Sequence, residues 1–222
     1  MPMRILRWGP LACALLSACG RTPPANATDE LVKLTPEQAA LVMDGDATEV
    51  MTLVTNDTSA GDELLRTPSL PVGHGDPVVA RLVERMRATM EAEEGVGIAA
   101  PQVAISRRVI LVERVDIEGK PVRAYLNPEI LEASEEKIVD WEGCLSIPAG
   151  FGKVKRAASI VIAYLAGEGG RGTETVQGYA ARIFQHEIDH LDGVLFIDRK
   201  EPGDLMPEDD YREMKAKEAA DG

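Results

Sequence analysis

Gly178-Tyr179-Ala180-Ala181-Arg182-Ile183-Phe184-Gln185-His186-Glu187-Ile188-Asp189-His190-Leu191 reads as one helix, closed by Gly193 just past its end. His186 and His190 stand four residues apart, so both imidazoles project from one face and can meet one metal ion. Glu187 lies beside them, placed to exchange a proton with a water that such an ion activates. The chain has three histidines in all, and two are here. Because five-residue matches arise by chance, an exposed helix with incidental histidines is the plainer alternative. The rest of the chain has to decide.

Upstream, Asp76-Pro77 opens a second helix with Asp76 as N-cap. Val78, Val79, Leu82, Val83, Met86 and Met90 carry its apolar period, and Gly95 follows its end. Between the two helices the sequence reads as strands. Residues 107–115 alternate, Glu118-Gly119 turns the chain, and 121–126 returns; 158–165 is an apolar strand and 173–177 a short one. Strands enclosed by two helices, without regular βαβ alternation, predict an α+β fold with mainly antiparallel sheets.

A third ligand fixes the class of site. The metzincin pattern would continue with a histidine six residues after the second, but that residue is Phe196. The thermolysin-like pattern takes a glutamate from a later helix. Glu213 and Glu218 are available, but they lie in a polar tail with little apolar period. Glu142-Gly143-Cys144-Leu145-Ser146 is the better candidate, since Cys144 is the one cysteine beyond Cys13 and Cys19. A thiolate with two imidazoles gives a Cys/His/His site with a fourth position open, as catalysis needs. Without the histidine pair, Cys144 would read as a buried apolar thiol. Gly95-Val96-Gly97-Ile98-Ala99-Ala100-Pro101-Gln102 suits the same site. Its small residues let a substrate lie against the backbone, and the Gln102 amide can donate to a developing oxyanion.

These three segments together resemble the peptide deformylase family across residues 57–200. The matches are a GxGLAAxQ-like segment at 95–102 with Ile98 for the usual Leu, EGCLS at 142–146, and QHExDH at 185–190. The resemblance implies antiparallel sheets around a C-terminal metal-binding helix, with an N-terminal helix on the outside. It implies one divalent ion on Cys144, His186 and His190, with Fe(II) favoured and Zn, Ni or Co able to substitute. Glu187 is implied as general acid/base, and Gln102 with the Leu145 N–H as oxyanion donors. Val96, Gly97 and Ile183 are implied to line the methionine cleft, and Glu142 and Arg156 to form a structural ion pair. The implied substrate is an N-formylmethionyl peptide; a monomer is expected. Other amidases or peptidases on the same site, or a non-catalytic formyl-peptide-binding lipoprotein, are the alternatives.

The flanks carry a different message. Arg4 and Arg7 precede the apolar run Trp8–Leu16, which ends in Ser17-Ala18-Cys19. That order describes a secretory signal too short to span a bilayer, and Leu16-Ser17-Ala18-Cys19 resembles a bacterial lipobox. Residues 1–18 are expected to be cleaved and Cys19 lipidated, anchoring the protein by lipid alone on the periplasmic side. A start at Met43 or Met51 would make it cytoplasmic instead. Residues 19–56 are expected as a flexible acidic spacer and 201–222 as an acidic tail. A short helix at 36–43, capped by Thr35, is expected to pack loosely. The formal charge of −13 sits largely in these flanks: residues 29–65 hold nine acids against Lys33 alone, while 66–197 hold 19 acids and 15 bases. That excess acid argues against nucleic acid as a partner.

Overall fold

The computed structural model of the chain describes residues 33–165, 170–203 and 205–221. Helix α1 (Pro36–Met43) begins with reciprocal caps: the Thr35 hydroxyl accepts from the Gln38 N–H at 3.2 Å, and Gln38 Oε1 accepts from the Thr35 N–H at 3.1 Å. Its far end is closed from outside. Arg85, 5 % exposed, donates to the carbonyls of Leu41 at 2.8 Å and Asp44 at 2.6 Å, which a helix end otherwise leaves without partners. Helix α2 (Ser59–Leu65) follows, and then α3 (Pro77–Ala92), which carries Arg85. As expected, Asp76 caps α3, its carboxylate accepting from the Val78 N–H at 2.9 Å. Val79, Leu82, Met86 and Met90 form its buried stripe.

Here the expected spacer, residues 19–56, needs correcting. From residue 33 onward it belongs to the fold: Leu34, Val42 and Met51 join the α3 stripe in one buried cluster. Acidic composition signals solvation, but a few apolar side chains that reach a groove, and one guanidinium that satisfies the carbonyls, outweigh it. Residues 1–18, Cys19 and the spacer up to residue 32 lie outside the described residues.

The strands are β1 (Gly97–Ala99), β2 (Val109–Glu113), β3 (Val122–Ala133), β4 (Lys137–Cys144), β5 (Ile147–Ala157), β6 (Ser159–Leu165) and β7 (Arg171–Gln177). Among the described residues they form a five-stranded antiparallel sheet in the order β1-β2-β3-β6-β7 and a two-stranded antiparallel sheet, β4-β5. The α+β, mainly antiparallel architecture matches the sequence reading, which nonetheless marks β4 only as a strand-like segment before Glu142 and omits β5. Their pattern explains this. In β4, Ile138 and Val139 are exposed. In β5 the alternating buried positions are Gly150, Gly152, Val154 and Arg156, so the inward face shows no run of apolar residues.

Helix α4 (Gly178–Leu191) has the bounds expected and packs against β1 and β2. Every residue from Ala180 to Leu191 is buried. A helix buried on all sides is ordinarily apolar all round, yet α4 buries Arg182, Gln185, His186, Glu187, Asp189 and His190. That much buried polarity marks a site. Helices α5 (Phe196–Arg199) and α6 (Glu208–Asp221) complete the chain. No helix among the described residues is long and apolar enough to cross a membrane.

Candidate active site

Cys144 ends β4, and a two-residue turn, Leu145-Ser146, leads into β5 with Cys144 paired to Ile147. A register shift between Glu142 and Cys144 breaks the regular pairing there, the kind of irregularity that re-aims a side chain. On α4, His186 and His190 stand one turn apart on the same face. The ligand atoms of Cys144, His186 and His190 lie within 4.8 Å of one another, with Cys144 Sγ 3.2 Å from His190 Nε2. His186 Nδ1 sits 3.0 Å from Glu142 Oε2; a carboxylate there accepts a hydrogen bond from Nδ1–H and leaves the Nε2 lone pair for a metal. A soft sulfur and two imidazoles, one with its tautomer fixed, fit a divalent transition metal.

Glu142 is the hub behind the ligands. Its carboxylate accepts from Arg156 Nε and Nη2, both at 2.9 Å, and from Arg182 Nη1 at 2.6 Å, besides facing His186. The Glu142–Arg156 pair expected from the resemblance is thus formed. Arg156 also pairs with Asp189, which accepts from Arg199 Nε at 2.6 Å and Nη2 at 2.8 Å. Burial works to raise the Glu142 carboxyl, but the bonds from His186 and Arg156 hold it well below the usual carboxylate range. For His186, burial lowers the imidazole's proton affinity, but Cys144 and Glu142 raise it further, so the ring lies well above its ordinary value. Burial instead holds His190 well below its ordinary value.

Glu187 has the opposite surroundings. It is 4 % exposed, its Oε2 has no hydrogen-bond partner among the described residues, and burial pushes its carboxyl up to about 7. Gly97 makes room for it: a Cβ there would lie 2.5 Å from Glu187 Oε1 and 2.8 Å from Ile183 Cγ2. Gln102 is anchored through Oε1, which accepts from the Ala99 N–H at 2.8 Å. Its Nε2 points at Ser146 Oγ, 3.2 Å away, and at Cys144 Sγ, 3.6 Å away. One cavity of about 640 Å³ is lined by Val96, Gly97, Gln102, Cys144, Leu145, Ile183, His186 and Glu187. Every site residue named from the sequence falls at this cavity or directly behind it, except Cys19, which lies outside the described residues.

Residues 56–205 match the family model described as polypeptide deformylase. The chain belongs to the polypeptide deformylase family. A peptide deformylase of Thermotoga neapolitana is 46 % identical over 142 residues, covering 64 % of this chain and 84 % of that one. That of Rhizorhabdus wittichii is 42 % identical over 145 residues, covering 63 % and 82 %. Among solved structures, the peptide deformylase of Thermotoga maritima is similar with a TM-score of 0.63 at 42 % identity, covering 69 % of this chain and 99 % of that one. A Met-Ala-Ser-bound class I type b peptide deformylase of Acinetobacter baumannii gives 0.61 at 38 % identity, covering 68 % and 99 %. This deformylase is a metal-dependent hydrolase that removes the formyl group from the N-terminus of peptides.

Four site residues escape the sequence reading of the deformylase: Ser146, Arg182, Asp189 and Arg199. Arg182 had a signal, since positions 182, 186 and 190 share one face of α4. The link from Asp189 to Arg156 crosses 33 residues and leaves no local trace.

Proposed function

We propose that Cys144, His186 and His190 hold one divalent ion, Fe(II) in the native enzyme with Zn, Ni or Co able to replace it, and that Glu187 is the general acid/base. The convergence of three ligand atoms from β4 and α4 beside a buried carboxyl, one oxygen of which has no partner among the described residues, carries this reading. When bound, the ion supplies Lewis acidity, which lowers the pKa of water to about 7 and polarises a carbonyl oxygen. Glu187 takes a proton from the water that attacks the formyl carbon. The negative charge then growing on the formyl oxygen faces the Gln102 amide and the Leu145 N–H. Glu187 returns its proton to the leaving amine as the C–N bond breaks, giving formate and a free N-terminus. A carboxyl poised at about 7 can exchange the proton both ways at neutral pH. Val96, Gly97 and Ile183 receive the methionine side chain, while Glu142 and Arg156 hold His186 in place.

We also propose that residues 1–18 are removed, that Cys19 carries the lipid anchor, and that the enzyme acts as a monomer facing the periplasm on exported or environmental formyl peptides. Support comes from the order Arg4, Arg7, Trp8–Leu16 and Leu16-Ser17-Ala18-Cys19, and from Cys144 being free for metal. The acidic flanks give it no electrostatic reason to meet nucleic acid. Protein purified without oxygen should contain one metal per chain and turn over formyl-Met-Ala-Ser, with acetyl-Met and unblocked peptides left intact. Cleavage of the unblocked peptide instead would assign a peptidase. Labelled palmitate should enter the protein in cells; an unlabelled, wholly cytosolic product would end the export reading.

A further inference from the structure

Helix α6 lies beyond the stretch that matches the family, residues 56–205, yet Glu208, Tyr211 and Arg212 on it line the catalytic cavity. Little holds this helix. Of the side chains described on it, only Tyr211 and Met214 are partly buried. Ahead of it, Met206 and Phe151 exchange both backbone hydrogen bonds at 2.8 Å. The Tyr211 ring lies flat on Phe151, with centroids 3.9 Å apart and planes 9° from parallel, and meets the edge of Trp141 at 5.9 Å. Tyr179, in the first turn of α4, lines the same space and is 52 % exposed. The cavity therefore has an aromatic end besides its ligand end. Its remaining rim is acidic: Glu93, Glu94 and Glu208 stand there against Arg212, which is committed to Glu208 at 2.5 Å. A volume of about 640 Å³ falls within the roughly 300–1,000 Å³ of sites for drug-sized ligands. That leaves room beyond one blocked amino acid.

We propose that α6 forms the outer wall of the peptide cleft, and that Tyr211 is a specificity-determining contact for the residues after the methionine. It favours an apolar or aromatic side chain there, which stacks on the Tyr211–Phe151–Trp141 cluster, and the acidic rim disfavours an acidic one. The inference rests on the deformylase reading. A bare structural role for Tyr211 is the rival, because Phe151 covers Gly143, where a Cβ would collide with the ring. In that case Tyr211 merely holds Phe151 over the Cys144 loop.

The test measures kcat/KM of the metal-loaded full chain for three C-terminally amidated peptides: formyl-Met-Ala, formyl-Met-Ala-Phe and formyl-Met-Ala-Glu. The wild type should gain about 3- to 10-fold on adding Phe, the scale of one aromatic pair, mostly through KM. It should gain nothing on adding Glu. Tyr211→Ala should lose the gain from Phe, and Tyr211→Phe should keep it. If Tyr211→Ala lowers kcat/KM by the same factor for all three peptides, the residue is structural and the proposal is overturned. A wild type that gains equally from Phe and Glu, or a Tyr211→Ala that keeps the gain, also overturns it. No turnover of formyl-Met-Ala by the wild type would sink the deformylase reading itself, and this proposal with it.

Discussion

Two glutamates flank the ligand pair on α4 at nearly equal depth, Glu142 at 7 % exposure and Glu187 at 4 %, and their surroundings are opposite. Glu142 is saturated: two arginines and an imidazole face its two oxygens, and its carboxyl is held well below the usual range. Glu187 is starved: one oxygen has no partner among the described residues, and its carboxyl is pushed up to about 7. A buried charge persists only where partners replace water, whereas a buried carboxyl without them shifts toward the neutral form. The saturated side fixes geometry and the starved side keeps a proton within reach. A perturbed group of the second kind is a candidate for chemistry.

The largest expected effect comes from the starved side. Glu187→Gln keeps the shape and removes the proposed proton carrier, so turnover on formyl-Met-Ala-Ser should fall about 10²–10⁴-fold, the usual worth of general acid–base catalysis. Metal content should stay at one ion per chain. A fully active variant would move the acid/base role elsewhere and break the contrast.

On the saturated side the loss should appear as stability and metal retention. Glu142→Gln leaves Arg182, 6 % exposed, without its counter-charge and Arg156, 4 % exposed, with Asp189 alone. Breaking a buried pair in this way costs about 3–5 kcal/mol, readable by urea unfolding. Loosening the partner of a metal-ligating histidine weakens metal binding about 10–100-fold. If Glu142→Gln lowered turnover while sparing both, Glu142 would belong to the chemistry as well.

pH separates the two sides further. The folded carboxyl of Glu187 lies above its ordinary value of 4.5. Below pH 4.5 it is neutral folded and unfolded, so it costs nothing. As pH rises from 4.5 to about 7 only the unfolded chain gives up the proton, and stability is lost. Metal-free Glu187→Gln should therefore equal the wild type at low pH and exceed it above pH 7, by on the order of 3 kcal/mol. Glu142 has the reverse sign, because its folded carboxyl is depressed. It contributes stability above 4.5 that is lost as pH falls below that value. Unfolding of both variants from about pH 2 to 8 checks the two signs together.

The starved side was the more legible from sequence. His186, Glu187 and His190 sit within five residues, and helical spacing alone puts the imidazoles on one face. Cys144 and Gln102 followed from their own short segments. The saturated side depends on partners far apart in the chain: Arg156 lies 14 residues from Glu142 and 33 from Asp189. The strand that delivers Arg156 was itself hidden, because Gly150 and Gly152 share its inward face. Residues 33–56 were hidden for a related reason. Their place in the fold depends on Arg85, which reaches the carbonyls of α1 across more than forty positions. Local pattern reports spacing within an element, and it is silent on which distant side chain satisfies a buried group.

The smallest effect should come from the outer end of the saturated network. Arg199 grips Asp189 with two bonds, but its side chain is 48 % exposed. Water and salt screen such a pair, and exposed pairs contribute about 0.2–1 kcal/mol. Asp189 itself is 10 % exposed and keeps Arg156 as a partner when Arg199 is lost. Arg199→Gln should therefore lower stability by no more than about 1 kcal/mol, less still in high salt, with turnover and metal content unchanged. A cost as large as that of Glu142→Gln would mean that Glu142, Arg156, Asp189 and Arg199 act as one unit. Depth of burial would then no longer grade the network.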